Sequence, residues 1–203
     1  GNNGGLISIA FGWSMAVFVA VFMVADISGA HLSPAVSIGL AAAGKFPWEQ
    51  VPAYVLAQML GAMLGATLVW LVYRPHLNAS KEPAAQLACF CTAPSIRNAK
   101  ENFLSEAVAT FIFMLAVLKL TKPSASMGSF DALPVALLVL AIGLSLGGPT
   151  GYAINPARDL GPRIMHALLP IQGKRGSDWS YAWIPVAAPI AGALLAAWAS
   201  LYL

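Results

Sequence analysis

Apolar residues run along this chain in blocks of helical length rather than alternating with polar ones. A bilayer core takes about 20 mainly apolar residues in a helix. Residues 5 to 26, 52 to 73, 102 to 121 and 182 to 203 meet or nearly meet that length, and a fifth, shorter block covers 132 to 147. These blocks predict spanning helices. The first lacks the basic front of a cleavable signal peptide and is too long for one, so it is read as a span as well. Two further apolar segments are too short to cross: PAVSIGLAAAG at 34 to 44 and PARDLGPRIMHALL at 156 to 169. Each opens on a proline, whose missing N–H costs nothing at the first helical position. Each proline follows a serine or asparagine able to cap the first-turn amides. They predict re-entrant half-helices.

The two half-helix regions are copies of one another. SGAHLSPAVSIG (28 to 39) aligns without a gap on TGYAINPARDLG (150 to 161). The helices that follow also match, QMLGAMLGA (58 to 66) beside PIAGALLAA (189 to 197), with small residues at the four-residue spacing that lets helix backbones approach in lipid. A unit of helix, half-helix, helix therefore occurs twice, in residues 1 to 73 and 102 to 203, joined by a loop at 74 to 101. Helix 102 to 121 leads the second copy and has no counterpart in the first, so a further spanning helix is expected ahead of Gly1.

Composition places these elements in a membrane and removes other classes. The chain of 203 residues is 59% hydrophobic and 9% charged, with a mean hydropathy of +0.74, beyond what a soluble domain carries. The net charge of +3 forms no basic run with interleaved aromatics, so no nucleic-acid partner is expected. No His/Cys/carboxylate cluster or nucleophile–base pair suggests a metal, a cofactor or catalysis. Cys89 and Cys91 form a C-x-C pair whose side chains would point apart in an extended loop, against a mutual disulfide.

Backbone off the regular helix survives at membrane depth only where it is buried or lines an aqueous path, so two half-helices point to a pore. Arg158 is the sharpest single signal, because an arginine inside a membrane normally faces a cavity or a partner. It either meets solute or is neutralised by its neighbour Asp159. Glu106, in the middle of FLSEAVATF, is expected to accept hydrogen bonds from loop amides or hydroxyls. His31, just ahead of the first half-helix, is expected to donate to backbone carbonyls.

The paired motifs Ser33-Pro34-Ala35 and Asn155-Pro156-Ala157, set in a duplicated chain, resemble those of the aquaporins. With Arg158 and Asp159 behind the second and SGAH ahead of the first, they resemble the glycerol-facilitator branch, over nearly the whole chain. The resemblance implies an all-α membrane protein, a right-handed bundle of six spanning helices plus two re-entrant half-helices, here lacking the first spanning helix. The half-helices enter from opposite faces and meet by their prolines at the midplane. It also implies homotetramers in the lipid bilayer of a cell, with one pore per subunit. Each pore passively conducts glycerol, water and other small neutral solutes and excludes ions and protons. A water-selective channel is the alternative. A coupled transporter is a more distant one, for which only Asp26 and Glu106 could hold an ion.

By offset from the two motifs, the resemblance implies a selectivity filter of Trp13, Gly143, Tyr152 and Arg158. Trp13 and Tyr152 would offer an apolar corner to the C–H edge of a polyol, Arg158 would take its hydroxyl edge, and Gly143 would leave the room. Ser33 stands where the family has asparagine, still able to cap, but shorter and leaving a wider midpoint. Asn155 would point amide donors at a passing oxygen, and the half-helix amino termini would add roughly half a positive charge each. Asp159 is expected to brace its loop. Counting Arg74, Lys81, Arg97 and Lys100 would place the loop 74 to 101 in the cytoplasm; the resemblance implies the opposite side.

Overall fold

In a computed structural model of the chain, residues 5–120 and 125–203 are described. The five predicted spans are α1 (Gly5–Ser28), α3 (Val51–Ala79), α5 (Ala99–Lys119), α6 (Leu133–Thr150) and α8 (Ile184–Ala199), and the two half-helices are α2 (Pro34–Ala42) and α7 (Pro156–Leu168). A one-and-a-half-turn helix, α4 (Pro83–Ala88), lies in the long loop. There is no strand among the described residues.

Two spans differ in length from the sequence blocks. The short fifth block is extended by a 3-10 turn at Gly128–Ala132, so that the apolar stretch Gly128–Thr150 reaches 23 residues. The last block yields only 16 helical residues, because residues 179–183 form turns, with Phe103 stacked on Trp183, and the helix ends at Ala199, leaving 200–203 outside it. The long helices are apolar all round, and much of their surface is exposed leucine, isoleucine and methionine, as lipid-facing helices require.

Small residues decide how the half-helices seat. The aligned glycines Gly39 and Gly161 face aligned alanines: a Cβ on Gly39 would lie 3.2 Å from that of Ala193, and one on Gly161 would lie 2.8 Å from that of Ala62. Thus α2 packs on α8 and α7 packs on α3, each half-helix against the last helix of the other half of the chain. The strongest pairing is α5 with α8. There Gly192 lies so close to Ala107 that a Cβ would collide with the Ala107 carbonyl and come within 3.0 Å of the Phe111 amide.

Gly61, the partner of Gly192 in the internal alignment, behaves differently. Nothing lies within 4 Å of the Cβ position of Gly61 or Gly65. Both glycines face a cavity of about 720 Å³ between α1 and α3. Of the aligned pair Gly61 and Gly192, only Gly192 therefore makes a close approach to another helix among the described residues.

The contrast is testable. Overpacking against backbone costs about 1–3 kcal/mol, so Gly192→Ala should lower the thermal unfolding temperature of the purified protein. Gly61→Ala should hold or raise it, because alanine stabilises an open helical position by up to about 1 kcal/mol.

Candidate functional site

The two loops that deliver the chain into the half-helices share an unusual backbone. Gly29, Ala30 and Leu32 have φ of 70°, 49° and 55°, and the aligned Gly151, Tyr152 and Ile154 have 79°, 40° and 43°. Left-handed geometry at four residues with side chains costs roughly 1 kcal/mol or more each, so something must hold it. In the second loop the holder is Glu106. Fully buried on α5, its two carboxylate oxygens accept from the amides of Ala153 and Ile154, each at 2.9 Å. This is the role expected of Glu106, with the particular amides now identified.

At the amino terminus of α7, Asn155 caps as expected. Its Oδ1 accepts from the amides of Ala157 (3.0 Å) and Arg158 (3.3 Å). Its Nδ2 donates across the molecule to the carbonyl of Leu32 at 2.7 Å, which ties the starts of the two half-helices together. One amide proton of Asn155 remains for the lumen.

Ser33 departs from its expected role. It occupies the N-cap position of α2 with extended geometry, φ −151° and ψ 133°, but makes no side-chain cap. Its buried hydroxyl is turned off the first-turn amides and has no partner among the described residues. Ser37 one turn later uses the Ser33 carbonyl instead, with both its amide (3.0 Å) and its hydroxyl (3.2 Å). His31 also differs: its Nδ1 meets the hydroxyl of Ser37 at 3.0 Å rather than a backbone carbonyl.

Arg158 is not neutralised by Asp159. Asp159 takes the amide and hydroxyl of Thr92 at 2.8 and 2.6 Å and pairs with Arg163 at 2.8 Å, all buried. Arg163 in turn donates to the carbonyls of Ser177, Asp178 and Thr92. Asp159 thus braces the loop, as expected, but its charge partner is Arg163, which sequence reasoning passed over although it sits at the i+4 position where ion pairs form on a helix. Cys91 is buried beside this network, and burial pushes its thiol up to about 12.

With Asp159 committed elsewhere, the Arg158 guanidinium makes no hydrogen bond to the described residues. Its Cζ lies 4.2 Å from the centre of the Trp13 ring, in cation–π range. Trp13, Tyr152, Asn155, Ser33, His31 and Arg158 together line a cavity of about 90 Å³ at the junction of the half-helices. Gly143 is not on that wall. It lies behind Tyr152, where an added Cβ would be 3.0 Å from the ring's Cζ. Gly147, one turn on, would meet the same ring at 2.7 Å. The two glycines seat the tyrosine rather than opening onto the lumen. Pro34, Ala35, Pro156 and Ala157 form the buried first turns around this junction.

A model of the family described as major intrinsic protein matches residues 1–200. Over 202 residues the chain is 52% identical to a probable glycerol uptake facilitator protein of Thermotoga maritima, covering all of this chain and 85% of that one. Over 188 residues it is 52% identical to a glycerol uptake facilitator protein of Bacillus subtilis, covering 93% of this chain and 68% of that one. An X-ray structure of the aquaglyceroporin from Plasmodium falciparum superposes with a TM-score of 0.86 at 33% sequence identity, covering 98% of this chain and 82% of that one.

The buried ion pair makes a separate prediction. Asp159→Ala leaves Arg163 charged and unpaired in the interior and should cost about 3–5 kcal/mol. Replacing both residues, Asp159→Ala with Arg163→Met, should recover much of the loss, as read from thermal unfolding of the three proteins.

Proposed function

The chain belongs to the major intrinsic protein family, and on that premise we propose that it is a passive channel for glycerol and other small neutral solutes, with water as a lesser permeant. It is a multi-pass integral membrane protein of the cell membrane, with four helices among the described residues long and apolar enough to cross, and it is not an enzyme. The observation that carries the reading is the uncommitted Arg158 guanidinium over Trp13 in the cavity where the half-helices meet. An arginine with no protein acceptor has its fork of donors free for solute oxygens. The exposed part of Trp13 and the ring of Tyr152 supply the apolar wall that the C–H edge of a polyol needs. Trp13, Gly143, Tyr152 and Arg158 then act as one filter, with Gly143 contributing indirectly by letting the tyrosine lie back.

Selection against ions follows from the same arrangement. A fixed arginine charge and two half-helix amino termini, each carrying roughly half a positive charge, repel cations. The free proton of Asn155 Nδ2 aims one donor at each passing oxygen and interrupts a proton wire. Ser33, shorter than asparagine, gives the α2 side of the midplane more width. Two inverted repeats, residues 1–73 and 102–203, with the loop 74–101 between them, account for the reciprocal seating of α2 on α8 and α7 on α3. Assembly as a homotetramer in the bilayer, each subunit with its own pore, belongs to this proposal. Of the two carboxylates that a coupled transporter could use, Asp26 and Glu106, Glu106 is removed because both its oxygens already hold backbone amides.

Gly143→His tests the filter. A side chain there drives the Tyr152 ring toward the lumen and adds an imidazole. Glycerol flux into proteoliposomes should fall by roughly tenfold or more, in the range by which pocket size discriminates substrates, while osmotic water flow persists. Equal loss of both fluxes, or no change in either, would contradict the assigned filter.

A further inference from the structure

The lumen so far described is rich in donors. Arg158 has only donors to give, and the free group of Asn155 is an N–H. A hydroxylic solute also has protons to place, so the path needs acceptors. The side chains around Ser37 supply one.

The Ser37 hydroxyl has three neighbours: the Ser33 carbonyl at 3.2 Å, Gln58 Nε2 at 3.1 Å and His31 Nδ1 at 3.0 Å. A hydroxyl has one proton and two lone pairs. The carbonyl can only accept, so the hydroxyl proton goes there. The Gln58 amide can only donate from Nε2, so it takes one lone pair. The remaining lone pair faces His31, which must donate from Nδ1 for all three contacts to be satisfied. Turning the Gln58 amide over would set Oε1 and the Ser33 carbonyl against the single hydroxyl proton and leave one of those contacts unsatisfied, so the amide stands with Nε2 toward Ser37.

A neutral imidazole protonated on Nδ1 carries a bare lone pair on Nε2. Nε2 of His31 has no partner among the described residues and, unlike Nε2 of the buried His166, is not enclosed. His31 lines both the smaller cavity at the half-helix junction and the larger one beside it. The ring is held in place from its sides by Phe46 and Tyr54, with centroids at 4.6 and 4.9 Å. Its position is fixed further because Tyr54 is itself anchored by its hydroxyl on the Ser28 carbonyl at 3.0 Å.

We propose that Ser37 holds neutral His31 as the Nδ1–H tautomer and that Nε2 is a hydrogen-bond acceptor for solute hydroxyls, a specificity-determining contact on the α2 side of the half-helix junction. The assignment rests on the glycerol reading for its cargo. Filter and histidine then have complementary polarity: Arg158 receives a solute's lone pairs, and His31 receives its proton.

The test combines a spectrum with a flux ratio. These 203 residues contribute three histidines to the spectrum of the ¹⁵N-histidine-labelled full protein in lipid nanodiscs, and the ring system lost in the His31→Asn variant is assigned to His31. An unprotonated Nε2 at His31 is expected; a protonated Nε2 would overturn the proposal. In proteoliposomes, His31→Asn keeps a donor toward Ser37 but removes the lumen acceptor, whereas His31→Gln reaches farther and restores an oxygen. The glycerol-to-water permeability ratio should fall roughly fivefold in the asparagine variant, the effect of one ordinary hydrogen bond, and return toward wild type in the glutamine variant. Parallel loss of both fluxes in the two variants would mean that the histidine only packs, and would overturn the proposal. The spectrum needs no solute. A wild-type protein conducting water alone would therefore refute the glycerol reading, while the tautomer still decides the histidine assignment.

Discussion

Everything in this molecule depends on satisfying backbone that is neither helix nor sheet at the depth of a membrane. No water from the hydrocarbon is available to an unpaired amide there, and each one left bare costs free energy. The fold answers with a buried carboxylate. Glu106, projected from α5, holds the amides of Ala153 and Ile154 in a loop whose left-handed residues would otherwise relax. The loop then delivers Asn155 to the start of α7, and Asn155 reaches back to the carbonyl of Leu32 in the other loop. A single carboxylate thereby sets the position of the cap, the cap sets the junction of the half-helices, and the junction sets where Arg158 stands.

The two halves of the chain solve the same problem with different strength. Aligned glycine–alanine contacts, Gly39 on Ala193 and Gly161 on Ala62, seat both half-helices by the same means. The amino termini are not equal, however. The start of α7 is capped by Asn155, braced by the Asp159–Arg163 pair and tied to Thr92. The start of α2 has an uncapped serine, and its order comes from Ser37, Gln58 and His31 instead. Charge is concentrated around the half-helix that carries Arg158, where an unpaired guanidinium must be kept in register with the Trp13 ring. The other half uses neutral hydrogen bonds.

Much of this was legible in the sequence. Spans and half-helices follow from apolar run length and from proline behind a capping residue, and the internal alignment of residues 28 to 39 with 150 to 161 extends even to the positive-φ positions. A glutamate in the middle of an apolar helix had to be spoken for, and loop amides were the available donors. Less visible were features set by contacts between distant segments or by side-chain orientation. Thr92 lies 67 residues from Asp159, so the destination of that carboxylate could not be read from spacing. Asp159 has two arginines within reach in sequence, Arg158 beside it and Arg163 one turn on, and only the helix geometry selects Arg163. Ser33 has the right residue type to cap and does not, a matter of rotamer. Gly143 opens space for the polyol only by way of the Tyr152 ring, a relation between a residue on α6 and one just past its end that depends on how the ring folds back.

The most direct test of the account is glycerol uptake by proteoliposomes holding the protein, followed by stopped-flow light scattering with sodium and proton gradients collapsed. A free guanidinium over an apolar wall, with the buried Glu106 carboxylate already committed to backbone amides, predicts glycerol entry far faster than into empty vesicles and unchanged by collapsing those gradients. Glycerol entry no faster than in empty vesicles, or entry that requires an ion gradient, would contradict it.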